Sequence, residues 1–330
     1  HLENYAENMY SPLLIDEKPY YLKPMNCPGH IKIYQTDRRS YRDLPIRYCE
    51  LGTVYRYERS GTLHGMLRVR GFTQDDAHVF CTPEQIADEV YGIIDLVDTL
   101  MTAFGYTYKI FLATRPEKYL GTDEEWEVAM DALKEALERW GKPYEMDPGG
   151  GVFYAPKIDV KLQDALGREW QGPTIQVDLN LPKRFKVNFI GSDNSEHEVI
   201  MIHRAVLGSM ERFVGGLVEH YGGAFPMWLA PTQVVVMPIT DKFKAYAEGV
   251  TEKLKAEGLR VELDARNEKI GYKIREAQGD KVPYMLIVGE REEASGEVSV
   301  RHRKEGDIGS IALPAFVERC KREVRDKVMD

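Results

Sequence analysis

The segment VYRYERSGTLHGMLRVRGFTQDDAHVF, residues 54–80, is unusually rich in Arg, Glu and His for a stretch that otherwise reads as two strands and a loop. Arg56 and Glu58 are two positions apart, so on a strand both side chains point to the same face. Gly61 and Gly65 make the intervening loop mobile. Planar guanidinium groups suit phosphate or carboxylate, so the segment predicts a strand–loop–strand unit that binds such an anion. A salt-bridged surface hairpin is the alternative that the same residues allow.

The whole chain has the composition of an ordinary globular protein. Its 330 residues are 43% hydrophobic and 29% charged, which excludes a disordered chain and suggests about two domains. No apolar run approaches the roughly 18 residues of a membrane helix, and no secretory leader opens the sequence. Four cysteines without a CxxC pair indicate a reducing compartment rather than a disulfide framework. We therefore expect a cytoplasmic protein with no membrane association.

Helix and strand signals in residues 1–230 lack the regular alternation of a parallel sheet. A capping box at residues 82–85 and another that starts at Thr122 predict two amphipathic helices, the second ending at Gly141. Strand signals cover residues 68–81, 186–190 and 198–202, and a hairpin turn joins the last two. This mixture predicts an α+β domain, an antiparallel sheet flanked by helices, over residues 1–230.

Strands and helices alternate after residue 230. The pattern predicts strands at 234–239, 260–265, 284–288 and 298–303, with helices at 242–257, 270–277 and from Pro314 onward. Residues 231–330 therefore read as a small α/β domain with a mixed sheet.

The charge distribution limits what the chain binds. The net charge of −9 argues against general nucleic-acid binding, and the acidic excess lies entirely in residues 1–230. A basic cluster in the second domain is either a local nucleic-acid surface or an ordinary solvated face. It consists of Arg266, Lys269, Lys273, Arg275 and Lys281.

The segment 54–80 resembles motif 2 of the class II aminoacyl-tRNA synthetases, Arg-x-Glu, loop, Arg-x-x-x-Phe, which is met by Arg56, Glu58, Arg68 and Phe72. Within that class the chain is similar to the threonyl-tRNA synthetases over essentially its whole length. The motifs that carry this similarity are KPMNCPGH (23–30), SYRDLP (40–45), RVRGFTQDDAHVF (68–80), HRAVLGSMERFVGG (203–216) and RNEKIGYKIRE (266–276). The resemblance implies a catalytic domain at 1–230 and an anticodon-binding domain at 231–330. It also implies ATP-dependent activation of threonine, with Mg²⁺ on the ATP, and transfer to the 3′ end of tRNA(Thr).

The resemblance implies that several of these residues bind ATP. Arg56 would hold the α-phosphate and the substrate carboxylate, and Arg68 the terminal phosphates. Arg212 would pack along the adenine and reach the γ-phosphate. Positive donors suit this chemistry, because charge develops on the phosphate oxygens during an in-line displacement at phosphorus. The other implied roles are adenine recognition by Glu58, stacking by Phe72, ATP contact by Gln171, and help in the transfer step from His1.

A zinc site is also implied by the resemblance, at Cys27, His78 and His203. These residues have no local metal-binding spacing, so the sequence alone would not reveal the site. Three protein ligands leave one position open for substrate. Zinc that binds the threonine hydroxyl would reject valine, which an apolar pocket discriminates by only about 100-fold. The residues implied to line the substrate pocket are Met25, Gln74, Asp76, Tyr154, Lys157, Gln171 and Gln176.

Four residues of the second domain match family positions that read anticodon bases, namely Asn267, Arg275, Glu292 and Arg301. We expect family motif 1, which supports the usual homodimer, and the editing domain that removes serine to lie outside this chain. Serine would then be mischarged. Gly172 stands where the family often has a cysteine, so a slightly larger pocket is expected.

Two alternatives to threonine activation remain open. One is a synthetase-derived tRNA-binding or regulatory module without catalysis. The other is a class II synthetase for another amino acid. The motif arginines argue against the first, and the Cys-His-His set argues against the second.

Overall fold

The structure, a computed structural model, describes residues 2–3, 5–163, 167 and 169–329. The chain divides into two compact units, His1–Gly216 and Leu217–Asp330. Among the described residues, the first unit has a seven-stranded sheet and two two-stranded sheets, within residues 13–20 and 188–198, and the second unit has a five-stranded sheet. The boundary that the sequence predicts near residue 230 stays a prediction.

The first unit is built from short hairpins, long central strands and amphipathic helices. Its strands are β1 (Leu13–Ile15), β2 (Lys18–Tyr20), β3 (Ile46–Tyr55), β4 (Gly71–Cys81), β5 (Tyr108–Ala113), β6 (Glu145–Asp147), β7 (Lys157–Gln163), β8 (Glu169–Asp178), β9 (Asn188–Ile190), β10 (Glu196–Glu198) and β11 (Ile200–Ser209). Its helices are α1 (Cys27–Tyr34), α2 (Ile86–Ala103), α3 (Asp123–Trp140), α4 (Asn180–Phe185) and α5 (Met210–Tyr221), which runs past the division between the units.

Within the described residues, seven strands form one sheet in the order β3-β4-β11-β8-β7-β5-β6. All neighbours are antiparallel except β5 and β6. The helix signals are confirmed. The predicted first capping box begins a 3-10 turn that leads into α2, and Thr122 caps α3 through the backbone N–H of Glu125. Gly141 ends α3 with φ 75°, a conformation that glycine adopts without a Cβ penalty. The predicted α+β class is confirmed.

Strand register places a row of polar side chains across one face of this sheet. His78 on β4 lies opposite His203 on β11, and His203 lies opposite Gln176 on β8. Gln176 in turn lies opposite Lys157 on β7. Because directly opposed residues share a face, these four side chains point the same way. The sheet therefore assembles residues that lie up to 125 positions apart in sequence.

A second row lies two residues further along the same strands. Asp76 lies opposite Glu50 on β3 and Ala205 on β11, and Ala205 lies opposite Thr174 on β8. Thr174 lies opposite Asp159 on β7. Side chains two positions apart on a strand share a face, so both rows belong to one polar floor.

Helix α1 covers part of this floor. Its Ile31 and Tyr34 pack in a buried cluster with Phe80 of β4 and Met201 of β11. Phe80 and Met201 lie two positions from His78 and His203 and therefore share their face. This apolar contact holds the N-terminal end of α1, and with it Cys27, over the two histidines.

The predicted hairpin at residues 186–202 is partly wrong. Strand β9 pairs with β10, which ends at Glu198, whereas residues 200–202 belong to β11 of the central sheet. Val199, between the two strands, is buried and donates its N–H to Val187 O. The apolar run 199–202 is therefore core of the large sheet, a longer-range pairing that local alternation does not reveal.

The second unit alternates strands and helices as the sequence predicts. Its strands are β12 (Val234–Pro238), β13 (Val261–Leu263), β14 (Tyr284–Val288), β15 (Glu297–His302) and β16 (Gly306–Ala312), and its helices are α6 (Lys244–Ala256), α7 (Ile270–Gly279), α8 (Glu290–Ser295) and α9 (Leu313–Arg325). The sheet order is β13-β12-β14-β15-β16, with β12, β13 and β14 parallel and the other pairs antiparallel. The predicted mixed sheet is confirmed, although the sequence analysis missed β16 and α8.

Apolar residues of α6 and α9 pack on one face of this sheet, and those of α7 on the other. Both faces are covered, as the three parallel strands at one side of the sheet require.

Candidate active site

Cys27, His78 and His203 form a buried cluster on the polar floor. One ligand atom from each residue lies within 4.8 Å of the others. The Nε2 atom of His78 is buried and has no hydrogen-bond partner among the residues that the structure describes. A thiolate and two imidazoles are the donor set that zinc prefers, and an unpaired nitrogen aimed into the cluster fits a metal ligand. The residues present therefore fit a zinc ion.

His203 is held by a carboxylate. Its Nε2 lies 2.8 Å from Oδ2 of Asp178, which is fully buried at the end of β8. The other carboxylate oxygen of Asp178 accepts the backbone N–H groups of Asn180 and Leu181, at the start of α4. Burial by itself lowers the pKa of His203, but Cys27 and Asp178 raise it above its usual value. Because Asp178 takes Nε2, the nitrogen of His203 left for the cluster is Nδ1.

His78 lies between two other imidazoles. Its ring centroid is 4.8 Å from that of His203 and 4.9 Å from that of His30 on α1. His30 Nδ1 lies 2.7 Å from His78 Nδ1, and His30 Nε2 lies 3.4 Å from Glu50 Oε1. Burial lowers the pKa of both His78 and His30, so both rings favour the neutral form. Neither contact follows from a local sequence pattern.

Asp76 lies beside this cluster, and its carboxylate is also buried. Asn26 Nδ2 donates to Asp76 Oδ2 over 3.1 Å, and Lys23 Nζ donates to Asn26 Oδ1 over 2.7 Å. Burial raises the pKa of Asp76 to about 6, although the bond from Asn26 and the nearby His203 oppose the shift. Asp76 therefore accepts a proton or a hydrogen bond more readily than an ordinary aspartate does.

A hydrogen-bonded wall runs from this cluster across β8 and β7. Tyr154 OH donates to Gln176 Oε1 over 2.7 Å, and the Tyr154 ring lies 5.8 Å from that of His203. Gln176 Nε2 donates to Thr174 Oγ1, which donates to Asp159 Oδ1 over 3.1 Å. Each side chain of this wall therefore donates to the next one, from Tyr154 to Asp159.

Asp159, which is almost fully buried, is where this wall converges. Gln171 Nε2 donates to its Oδ1 over 2.9 Å, and Lys157 donates to its other oxygen. Four of the predicted pocket residues, Tyr154, Lys157, Gln171 and Gln176, therefore belong to one network around a carboxylate that the sequence analysis did not single out.

Arg212, which contacts this wall at Gln171, belongs to a group of three arginines with Arg68 and Arg56. Arg212 Nε donates to Leu67 O over 2.7 Å, and Arg212 Nη1 lies 3.4 Å from Gln171 O. Arg68 donates through Nε and Nη2 to Oε2 of Glu58, at 3.2 and 3.0 Å. Burial lowers the pKa of Arg212, and the nearby Arg68 lowers it further. These guanidinium groups are close enough to repel one another. An anion bound between them would reduce that repulsion.

Arg56 completes the basic group. Its Nε donates to Pro24 O over 3.1 Å, and its guanidinium carbon lies 5.2 Å from the centre of the Phe72 ring. Two residues of the motif 2 pattern, Arg56 and Phe72, thus lie together.

Two other predicted pocket residues, Gln74 and Met25, lie near the candidate metal-binding cluster but outside the hydrogen-bonded wall. Gln74 lies on β4 two positions before Asp76, so it shares the polar face, and Met25 is half-buried beside the cluster around α1.

An added Cβ at Gly172 would lie 2.8 Å from Leu162 Cγ and 3.0 Å from Val160 O. The expected extra room at this position is not found, because the neighbouring strand fills it. His1 lies outside the described residues.

The predicted anticodon residues lie on the α7 side of the second sheet or beside its strand ends. Asn267 is exposed after β13, and Arg275 is exposed on α7. Arg301 on β15 pairs with Met285, which packs against α7. Glu292 accepts the N–H of Gly289 at the start of α8, so it also has a capping role.

The proposed basic cluster of the second domain is not a uniform solvated face. Lys273 is only 2% exposed, and its Nζ donates to Asp264 O over 3.0 Å. Arg266 is paired with both Asp264 and Glu276. Two of the five basic side chains are thus engaged within the protein.

Asn26, Asp159 and Asp178 are not among the predicted site residues. Asp159 carries no signal of its own, because the strand KIDVKLQ (157–163) alternates polar and apolar residues and a charge at a polar position is ordinary. Asp178 ends a strand two residues before a helix, as a buried cap does. All four cysteines lie in the described part of the chain and are free. Among the described residues, no helix is both long enough and apolar enough to cross a membrane.

Comparison with known families agrees with this architecture. The class II tRNA synthetase core domain family (G, H, P, S and T) matches residues 13–221, and an anticodon-binding domain family matches residues 233–323. The chain is thus built as a class II aminoacyl-tRNA synthetase core followed by an anticodon-binding domain.

Individual relatives show which family within this class the chain is similar to. A threonine–tRNA ligase of Caldanaerobacter subterraneus is 55% identical over 329 residues, which are 100% of this chain and 51% of the relative. One from Aquifex aeolicus is 54% identical over 99% of this chain and 51% of its own length. A crystal structure described as the RNA binding domain of threonyl-tRNA synthetase from Cryptosporidium parvum superposes with a TM-score of 0.92 at 41% identity. That match covers 97% of this chain and 81% of the other.

The chain belongs to the threonyl-tRNA synthetase family. It spans about half the length of the curated relatives that it matches.

Proposed function

We propose that this chain catalyses ATP-dependent formation of threonyl-adenylate from L-threonine and then transfers threonine to the 3′ end of tRNA(Thr). The observation that carries the proposal is the convergence of Cys27, His78 and His203 on one polar floor. A continuous series of hydrogen bonds links this floor to Arg212, through Gln171, Asp159, Thr174, Gln176 and Tyr154. An amino-acid pocket and a phosphate-binding group therefore share one wall.

Zinc held by Cys27, His78 and His203 would supply a Lewis-acid position that binds the amino and hydroxyl groups of threonine. In this proposal Asp76 accepts a hydrogen bond or proton from the substrate hydroxyl. Burial raises the pKa of Asp76 to about 6, which favours a proton on this carboxylate. Valine lacks that hydroxyl. It would leave one oxygen of the buried Asp76 carboxylate without the substrate partner, while the other oxygen keeps its bond from Asn26. An unpaired buried oxygen opposes binding.

The chain's own cations would act on ATP. Arg56 would bind the α-phosphate and the substrate carboxylate, while Arg68 and Arg212 would bind the distal phosphates together with Mg²⁺. Phe72 already supports Arg56 and would stack on adenine, which Glu58 would read. Donors held in advance at the positions where charge develops lower the barrier without further reorganisation. No protein nucleophile is required for the adenylation step.

The second unit would read the anticodon through Asn267, Arg275, Glu292 and Arg301. Base recognition in an unstacked loop uses hydrogen bonds and stacking, to which exposed amide and guanidinium groups are suited. We propose that the protein acts in the cytoplasm with tRNA(Thr), threonine and ATP as its partners. His1 would assist transfer at the terminal ribose.

Amino-acid-dependent ATP–pyrophosphate exchange on zinc-loaded protein tests the proposal. We expect strong exchange with threonine, some with serine and almost none with valine. Residues 1–330 tested as such should also charge tRNA with serine, because serine keeps the hydroxyl group. A folded, zinc-loaded sample that gives no exchange with any of the three would instead favour a tRNA-binding module without catalysis. Exchange with another amino acid only would indicate a different class II synthetase.

A further inference from the structure

The rings of His30 and His78 face each other through their Nδ1 atoms. The two Nδ1 atoms lie 2.7 Å apart, so one donates and the other accepts. His30 is 4% exposed and His78 is fully buried, so water does not compete for this bond. The direction of the bond decides which nitrogen of His78 keeps a free lone pair.

Two directions are possible, and the surroundings distinguish them. If His30 donated, neutral His78 would carry its proton on Nε2, which has no hydrogen-bond partner among the described residues. The nearest carboxylate oxygen, Asp76 Oδ1, is 3.7 Å away, beyond hydrogen-bond distance. A buried N–H without a partner is destabilising. If His78 donates instead, His30 carries its own proton on Nε2, which faces Glu50 Oε1 at 3.4 Å.

We propose that His30 is a positioning residue for His78, which accepts the His78 Nδ1 proton and so keeps the Nε2 lone pair directed into the Cys27–His78–His203 cluster. Glu50 supports this by stabilising the proton on His30 Nε2. The inference rests on the metal site of the proposed function and adds residues that the motifs do not assign. A hydrogen bond to the second nitrogen of a ligating imidazole sets its tautomer and ring orientation.

The two imidazoles of the cluster are therefore supported in different ways. His203 donates Nε2–H to the carboxylate of Asp178 and presents Nδ1, whereas His78 donates Nδ1–H to a neutral ring and presents Nε2. Helix α1 carries both Cys27 and His30, three residues apart on one helix face. The helix that supplies the thiolate thus also orients the imidazole opposite to it.

Histidine tautomers measured by two-bond ¹H–¹⁵N correlation on the full chain test the arrangement directly. In zinc-loaded protein we expect a proton on Nδ1 of His78 and on Nε2 of His203, with the other nitrogen of each ring bound to metal. A His78 that is protonated on Nε2 and bound through Nδ1 would overturn the proposal.

Zinc affinity of His30 variants, measured by competition with a chelator, gives an independent readout. His30→Leu removes the acceptor and should weaken binding about 10–100-fold, the usual effect of losing such a support. His30→Asn, whose short amide oxygen can accept near the Nδ1 position, should stay within a few-fold of the parent, and His30→Gln should fall between them. The matched control is His197→Leu, which removes an exposed histidine paired with Asp193.

The zinc measurements distinguish a failure of the metal site from a failure of the role of His30. Parent protein that binds no stoichiometric zinc would remove the metal site of the proposed function. Parent that binds zinc tightly, with all His30 variants equally tight, would overturn only the role of His30. If His30→Leu does not fold, the zinc affinities of His30→Asn and His30→Gln decide whether His30 positions His78. Both side chains are polar and differ mainly in where they place the oxygen, so the Asn variant should bind zinc more tightly than the Gln variant. Cobalt substitution adds a spectroscopic check, since the visible bands should shift in His30→Leu but not in His197→Leu.

Discussion

The guanidinium of Arg212 illustrates how far a single side chain here depends on its neighbours. Two backbone carbonyls hold it, and burial and Arg68 lower its pKa. A cation held in this way meets an incoming anion without reorganising, which is the condition under which one donor has a large effect on rate.

Arg212→Gln should lower threonine-dependent pyrophosphate exchange about 10²–10³-fold, the usual effect of removing one donor from a developing charge. The loss should appear in kcat more than in the KM for threonine, because the amino-acid pocket stays intact. The matched control is Arg139→Gln, which removes an exposed arginine paired with Asp88. Equal activity of parent and Arg212→Gln would remove this residue from the proposed mechanism.

Gly52 lies where there is no room for a side chain. A Cβ added there would lie 2.4 Å from Nδ2 of Asn26, the atom that donates to Asp76. Gly52→Ala should therefore displace the buried Asn26 and reduce stability by about 1–3 kcal/mol, the usual range for overpacking. Chemical denaturation measures this. Gly61→Ala, with nothing within 4 Å of the added Cβ, is the control and should change stability by less than the Gly52 variant does.

At the scale of single elements, α3 shows a helix whose limits follow from local chemistry. Thr122 and Glu125 form a reciprocal capping box, and Gly141 ends the helix in the left-handed region. Strand β10 shows the opposite case, because residues 198–202 have local signals for one strand yet belong to two sheets.

Thr122→Ala should remove the cap of α3 and destabilise the first unit by about 1 kcal/mol. In a unit of this size, that corresponds to a fall in Tm of roughly 2–4 °C. Differential scanning calorimetry of the parent and the variant measures the change. Thr102→Ala, at an exposed position of α2, serves as the control. A Tm for Thr122→Ala equal to or above that of the parent would show that the cap does not stabilise α3.

At the scale of the whole molecule, the two units have separate cores. Val234, Leu286 and Phe316 are fully buried within the second unit, in a cluster built only from residues after 226. A unit with its own core is expected to fold by itself.

Residues 217–330 expressed alone should therefore unfold cooperatively, with secondary structure and tertiary signals lost together. Circular dichroism and NMR dispersion measure this. A fragment without dispersed amide resonances would show that the second unit depends on the rest of the chain.

Acid should weaken the second unit through Arg266. A hydrogen bond from this arginine holds the pKa of Asp264 below its usual value, and bonds from Tyr272 and then Arg266 do the same for Glu276. Because these folded pKa values lie below the unfolded values near 4, the network stabilises the fold above about pH 4. That contribution is lost as pH falls through the folded pKa values.

Arg266→Gln should therefore be less stable than the parent at pH 7, and the difference should shrink as the carboxylates become protonated. Hydrogen exchange of β12 and β14 at several pH values measures the gap. Lys255→Gln, which removes one partner of an exposed i,i+3 pair, is the control. A difference for Arg266→Gln that grows on acidification would contradict this sign.

Local patterns predict the α+β class, the helices α2 and α3 and most strands of the second unit, and these are confirmed. The candidate site residues come from the resemblance to a known family, and their roles stay predictions. Capping boxes, glycine stops and periodicity are local, so they can be read from neighbouring positions. Only the tertiary structure decided that His30 faces His78, that Asp178 holds His203, and that Asp159 joins the pocket residues. It also decided that Lys273 is buried and that the space beside Gly172 is filled. The contacts around the candidate site depend on the register of antiparallel strands and on where α1 packs, and the burial of Lys273 depends on how α7 packs on the second sheet. Both arise from side chains far apart in sequence, which no local pattern records.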